Sequence, residues 1–244
     1  MRPFNELRFI YNWHWFWDTG NGDIGNQGVH EIGICRWALG DPGWPQTAYA
    51  QGGKYAYHDD QETPNTLLAS YNYGQREIVF EVRGLLTGGE GIPVKRPRGA
   101  PAAGAAEPSA TGPIVTVPSK GKPLEIMVGN LFYGTEGWAA MSDAGFQAFK
   151  GESNELVADE RPEHGDDATI LHMQNFLAAC RSRNYKDLHD EIGNAVLSSG
   201  LCHLANISYR TGHKLTLQDG PNFVNDPDAT KLITRHPYRK PYVV

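Results

Sequence analysis

"WDTGNGDIGNQGVHEIG", Trp17 to Gly33, holds three acidic residues, two asparagines, five glycines and a single histidine. It follows an aromatic run, "YNWHWFW", from Tyr11 to Trp17. A nucleotide loop, a metal site, a sugar pocket and a plain helix start all compete for it. A dinucleotide fingerprint needs a buried strand, G-x-G-x-x-G, a helix, and an acidic residue ~20 positions later. Gly20, Gly22 and Gly25 match its glycines, but the residues before them are aromatic and polar rather than aliphatic. No βαβ pattern follows, and Asp23 inside the loop would repel a pyrophosphate. No Walker loop occurs in the chain. The stretch reads instead as a turn over 18–22 leading into a helix over 25–39, with Val29, Ile32 and Arg36 on one side. Gly40-Asp41-Pro42-Gly43 stops that helix.

Strand patterns follow it at 46–57, 65–73 and 76–85, the last two joined by a hairpin turn at Asn72-Tyr73-Gly74-Gln75. Residues 92–123 break the pattern with seven of the chain's 16 prolines. That composition buries too little apolar surface to offset ordering entropy, so a mobile excursion between strands is expected there. Strand signals return at 124–134, 136–143, 145–151 and 154–160. Two helices follow at about 166–182 and 190–212, the second starting behind Asp187 or His189. A short strand at 214–218 and an irregular tail complete the chain. Strands followed by helices predict an α+β fold, with helices on one face of an open, mainly antiparallel sheet. The expected organisation is a single domain over 1–244.

With 40% hydrophobic residues the chain can bury a core. A net charge of −6 argues against a nucleic-acid surface. No apolar run approaches the ~20 residues of a membrane span. The amino terminus lacks a signal-peptide pattern, which makes the cytoplasm the default compartment. Cys35, Cys180 and Cys202 form no Cys-x-x-Cys pair and lie in helix-like apolar patterns, where buried small hydrophobes are expected. His30-Glu31 and His58-Asp59-Asp60 lack metal-ligand spacing, so no metal site is expected, and Asp59 and Asp60 read as a solvated turn.

On a helix over 25–39, Asn26 and His30 project from the same face. Asn26 could equally cap the helix, and Asp23 just before it is favoured by the helix dipole. A histidine there suits general-base work near neutral pH. Tyr11, Trp13, Trp15 and Trp17 offer flat apolar surfaces of the kind sugar rings stack on. A capped helix with core tryptophans and a satisfied histidine explains the same residues equally well.

Three longer stretches carry a family resemblance: "WHWFWDTGNGDIGNQGVHEIGICRWAL" (13–39), "HMQNFLAACRSRN" (172–184) with "EIGNAVLSSGLCHLANISYRTGHKL" (191–215), and "FVNDPDATKLITRHPYRKPY" (223–242). Together they resemble the carboxy-terminal, substrate-facing domain of bacterial-type Gfo/Idh/MocA oxidoreductases. The resemblance implies a sugar, cyclitol or glycoside substrate, and NAD or NADP in the complete enzyme. It also implies a homo-oligomer formed through the sheet. It places His30 at the family's active-site histidine, exchanging the hydroxyl proton. Asn26 stands where many members have an aspartate, so it can orient but not supply charge. Asp23, Trp15, Trp17 and Asn21 are the residues expected to hold substrate. The chain has neither a Rossmann fingerprint nor the family's Glu-Lys-Pro motif, so it is expected to bind no cofactor alone and to need a separate Rossmann domain. The alternative is a non-enzymatic module that oligomerises or binds carbohydrate.

Overall fold

A computed structural model describes residues 4–8, 11–56, 58–84, 128–142, 145–161 and 168–233. The expected excursion at 92–123 lies outside them. The chain divides into two compact units, Met1–Leu85 with Asp190–Val244, and Leu86–His189.

In the first unit, strands β1 (Thr47–Gly53), β2 (Thr66–Asn72) and β3 (Glu77–Arg83) form an antiparallel meander. The turn between β2 and β3 is the expected one, with Gly74 at φ +87° and its N–H on Asn72 Oδ1 at 2.9 Å. Later strands β8 (Leu215–Gln218) and β9 (Asn222–Phe223) complete an open sheet in the order β3-β2-β1-β8-β9. Alternation sends Ala48, Ala50, Leu67, Ala69 and Tyr71 to the buried face. Tyr49 and Val79, which both pair with Ser70, point to the other face and stay exposed.

Helix α4 (Ile192–Thr211) lies on the buried face, where alanines of β1 allow a close approach. Its Leu201, Leu204, Ala205 and Ile207 join Ile24, Ile32 and Ile78 in one core. Two buried hydrogen bonds fix this packing. Tyr71 donates its hydroxyl to Leu201 O at 2.8 Å. Ala50 donates its N–H to Ser208 Oγ at 2.9 Å, because β8 pairs with β1 only at Thr47 and Ala48. Burial pushes the Tyr71 hydroxyl well above its usual pKa. The start of α4 differs from expectation. Glu191, not Asp187 or His189, caps it by accepting from Gly193 N at 2.9 Å, while Asp187 closes a 3-10 turn over Tyr185–Asp187. The helix ends as expected at Gly212, in the left-handed region at φ +78°.

The helix predicted over 25–39 is interrupted. Helix α1 (Gly22–Asn26) and helix α2 (Gly28–Ala38) meet at Gln27. Arg36 is buried as the periodicity implied, donating to Asn194 O at 3.0 Å, Ser198 Oγ at 3.2 Å and Pro42 O at 3.1 Å. The tail is less irregular than expected: helix α5 (Pro227–Ile233) is capped by Asp226, which accepts from Ala229 N at 2.9 Å.

The second unit holds an open antiparallel sheet of β4 (Gly129–Tyr133), β5 (Gly137–Ser142), β6 (Gly145–Lys150) and β7 (Glu155–Glu160), in chain order. Its small core is Ala140 and Phe149, with Trp138 stacked on Phe149 at 4.4 Å. Helix α3 (Ala168–Ser182) also belongs to this unit. The fold is therefore α+β with open antiparallel sheets, as predicted, but with the described strands divided between two sheets. The cysteine expectation needs correction. Cys202 is buried and Cys35 half-buried, but Cys180 is exposed, because α3 buries little beyond Ala179 among its own residues. Burial pushes the Cys35 thiol up to about 11 and that of Cys202 up to about 12. Among the described residues, no helix is long and apolar enough to cross a membrane.

Candidate functional site

The aromatic run forms a short 3-10 helix at Asn12–Trp15 rather than a strand. His14 is buried, stacks on Trp13 at 3.8 Å and meets the Tyr11 carbonyl through Nδ1. The chain then returns through Gly20, which packs so tightly on the His14 backbone that a Cβ would lie 2.3 Å from its carbonyl oxygen. That turn delivers Asp23 to the first turn of α1, beneath Trp15. The Trp15 indole N–H donates to Asp23 Oδ1 at 3.2 Å.

Trp15 and Asp23 line a cavity of about 520 Å³, with Arg8, Phe16, Asp59, Asp60, Gln61 and Gly84 among its other walls. Arg8 comes from a 3-10 turn at Glu6–Arg8 and lies over the Phe16 ring at 4.3 Å. The opposite wall is organised by Lys54. Its ammonium donates to Asp59 O at 2.6 Å and Gln61 O at 3.1 Å, and pairs with the Asp59 carboxylate. The Lys54 hydrogen bond, ahead of other causes, holds Asp59 below the usual carboxylate range. Gly84 is required by close approach: a Cβ there would lie 2.5 Å from Asp23 Oδ2.

Two polar atoms of the lining residues, Asp23 Oδ2 and Arg8 Nε, are buried out of reach of solvent without a hydrogen-bond partner. Such atoms are uncommon, and each leaves a desolvation cost uncompensated. Burial raises the Asp23 pKa above the ordinary aspartate value, and the Trp15 hydrogen bond and the charge of His14 oppose that shift. The lining's carboxylates, the Arg8 guanidinium and the Gln61 amide, with the Trp15 indole, suit a ligand carrying several hydroxyl groups.

The structure does not gather all six residues singled out in the sequence. Trp15 and Asp23 share the cavity. His30 is exposed in the first turn of α2 and is not among the cavity's lining residues. Asn26, half-buried, ends α1, and Gln27 stands between that helix and the one that carries His30. Trp17 packs instead toward α4, with Arg210 over its ring at 5.0 Å, and its backbone N–H donates to Glu62 Oε2 at 3.1 Å. The Asn21 carbonyl accepts from Asn206 Nδ2 at 2.7 Å, tying α1 to α4. Arg8, Gln61 and Gly84 were missed. They come together only in the folded chain, and no local periodicity marks them. Asp59 and Asp60 are exposed as expected of a turn, yet they also line the cavity.

The glycine-rich stretch does not fit a dinucleotide. Every strand pair among the described residues is antiparallel, so they contain no βαβ unit. Gly20 and Gly22 abut His14 and Thr63, and Asp23 occupies the helix start where a phosphate would sit. Among the described residues no cluster of three or more His, Cys, Asp or Glu could hold a metal ion.

No family model matches the chain, and no curated protein matches its sequence. Solved structures do share its fold. One, from Thermotoga maritima and provisionally described as an oxidoreductase, is 16% identical over 89% of this chain and 51% of that one, with a TM-score of 0.54. The WlbA dehydrogenase of Bordetella pertussis, solved with NADH and UDP-GlcNAcA, is 16% identical over 89% of this chain and 53% of its own, with a TM-score of 0.46. The WlbA dehydrogenase of Chromobacterium violaceum, in complex with the same two ligands, is 15% identical over 89% and 52%, with a TM-score of 0.48. The chain thus spans about half the length of the oxidoreductase structures it resembles.

Proposed function

We propose that this chain is the substrate-binding half of an oxidoreductase of the Gfo/Idh/MocA type, acting on a hydroxyl of a sugar, cyclitol or glycoside. The observation that carries the reading is the cavity at Asp23. Its described lining sets the Asp23 carboxylate, hydrogen-bonded to the Trp15 indole, together with the Arg8 guanidinium and the Gln61 amide, groups to which the hydroxyls of a polyol can bond. The α+β fold, which matches about half of an oxidoreductase at a TM-score of 0.54, is consistent with it.

In this account Asp23 and Trp15 hold the ligand, and Arg8 joins them. His30 exchanges the hydroxyl proton. It is exposed on α2 outside the cavity's lining, so a ligand held at Asp23 must extend beyond the cavity to reach it. Asn26, at the end of the preceding helix, orients by hydrogen bonds. Trp17 and Asn21 set the course of the chain around the pocket through their contacts with α4. NAD or NADP would be carried by a separate Rossmann domain, since the described residues offer no dinucleotide cradle.

The test is direct. The pure 244-residue chain should bind neutral sugars or cyclitols in calorimetry and turn none of them over with NAD or NADP. Joined to a cofactor domain it should gain activity, and His30→Ala should then lower turnover by about 10²–10⁴-fold. Turnover by the chain alone would refute the reading.

A second reading, a non-enzymatic assembly module, is favoured by the apolar side chains that α3 leaves exposed, Ile170, Leu171, Met173, Phe176 and Leu177. It predicts an oligomer in solution. A monomer by light scattering would remove it.

A further inference from the structure

Tyr11 has a backbone conformation that costs a bulky residue energy. It sits at φ +64° and ψ −47°, close to the rare and strained γ-turn. Backbone of this kind persists only where its surroundings over-determine it, and it gathers at ligand clamps. Here His14 is the holder. Its side chain is buried and stacks on Trp13 at 3.8 Å. Its backbone N–H and its ring Nδ1 both meet the Tyr11 carbonyl.

The strain does not bury the Tyr11 ring. Tyr11 is 61% exposed, and its ring centroid lies 4.8 Å from that of His14 and 5.6 Å from that of Trp15. Trp15 lines the cavity at Asp23, and so does Asn12, the residue next to Tyr11. An accessible aromatic face therefore adjoins the cavity just outside its lining. A single exposed aromatic is ordinary on a protein surface. One held there by a strained backbone, one ring away from a cavity, is not.

The chemistry of that face selects an occupant. An aromatic ring is electron-rich over its face, where it attracts polarised C–H groups. The phenol at its edge donates or accepts a hydrogen bond. A pyranose has the counterpart of both, a face of C–H groups and a rim of hydroxyls.

We propose that Tyr11 is a second subsite, which stacks a sugar ring joined by a glycosidic bond to the ring held in the cavity. The ligand is then a disaccharide or longer glycoside rather than a free monosaccharide. That a sugar occupies the cavity rests on the function proposed above. That a second ring follows it rests on Tyr11, through its accessible face, its distance from Trp15 and its backbone.

Calorimetry on the full chain separates the two. The probes are cellobiose, maltose and lactose, each against the methyl glycoside of its non-reducing sugar, with phenyl β-glucoside beside them. At least one disaccharide should bind about tenfold more tightly than its methyl glycoside, the scale of one aromatic stacking contact. Tyr11→Gly and Tyr11→Asn both suit a positive φ and should melt close to the unaltered chain. In both, that ratio should fall to about one, while Tyr11→Phe should keep most of it. Equal binding of disaccharide and methyl glycoside by the unaltered chain, or a ratio that survives in the glycine and asparagine variants, would overturn the subsite and leave the sugar-binding reading intact. Phenyl β-glucoside binding more tightly than every disaccharide would overturn the second sugar ring in favour of an aromatic group. Binding of no probe would overturn both readings.

Discussion

The indole N–H of Trp15 donates to Asp23 Oδ1 at 3.2 Å, and the other carboxylate oxygen of Asp23 is buried with nothing to accept from. Eight residues apart in sequence, the two side chains are joined by the tight return of the chain through Gly20. The pair turns a glycine-rich stretch that resembles a phosphate loop into one wall of a pocket, with a carboxylate where a phosphate loop would receive an anion.

Gly84 is the most economical way to test that wall. An alanine there would place a Cβ 2.5 Å from Asp23 Oδ2. Gly84 has no positive φ, so the backbone tolerates the change and the carboxylate must move. Gly84→Ala should weaken ligand binding at least about tenfold, the equivalent of about 1.4 kcal/mol, and leave the melting temperature nearly unchanged. Unaltered affinity in calorimetry would show that Asp23 does not touch the ligand.

Binding should also depend on acid. Burial raises the Asp23 pKa above the ordinary aspartate value, with Trp15 and then His14 opposing it. The ionised carboxylate accepts hydrogen bonds from a ligand more strongly than the neutral acid does. Affinity should therefore be full above that raised pKa and fall as pH drops through it, starting at higher pH than for an ordinary aspartate. Asp23→Asn should remove this limb of the pH profile. A profile shared by the variant would assign the dependence to another group.

A second pH effect concerns stability. His213 Nε2 lies 2.6 Å from Asp226 Oδ2, and that hydrogen bond raises the histidine's pKa. The Ala229 N–H first, then His213, holds the Asp226 carboxyl low. A raised histidine contributes stability that is fully present below its unfolded pKa of about 6.5 and is lost as pH rises through the folded value. The lowered aspartate contributes above its unfolded value and loses that contribution as pH falls through the folded one. Melting curves of the protein and of His213→Gln should differ most on the acid side of neutrality, short of Asp226 protonation, and converge at alkaline pH. A constant difference from pH 5 to 9 would deny the ion pair any role.

The junction of β1 and α4 makes a graded prediction. Ser208→Ala leaves the buried Ala50 N–H without its acceptor and should cost about 1–3 kcal/mol. Tyr71→Phe removes only the donor to Leu201 O, a carbonyl inside a helix, and should cost about 1 kcal/mol. Urea denaturation of the two variants measures both. The opposite order would mean that β1 finds another partner past Ala48.

How much of this was legible in the sequence varies with the range of the interactions. Local pattern placed β1 to β3, the hairpin at Gly74, α3 and α4 to within a few residues, because alternation and helical spacing record which face is buried. The break at Gln27 was not visible, since Gly25 and Gly28 on either side suit a helix packed tightly on its neighbours as well as a kink. Capping of α4 went to Glu191 rather than Asp187, because Asp187 is engaged by its own turn: Ser182 Oγ and Asn184 Nδ2 each donate to it at 2.6 Å. At the site, Asp23 and Trp15 were recognisable by type and proximity. Arg8, Gln61 and Gly84 were not, because their roles come from three separate segments meeting in space. His30, named from the family resemblance, stands apart from the cavity in the described residues.

The measurement that tests the central claim most directly is a nuclear magnetic resonance titration of the Trp15 indole N–H, assigned through Trp15→Phe, with a monosaccharide added to the full chain. Because that proton is hydrogen-bonded to Asp23 and both residues line the cavity, its resonance should shift and saturate as sugar binds. It should stay still in Asp23→Asn over the same sugar range. An indole resonance unmoved in the unaltered chain, or one that moves identically in the variant, would contradict a sugar site at Asp23.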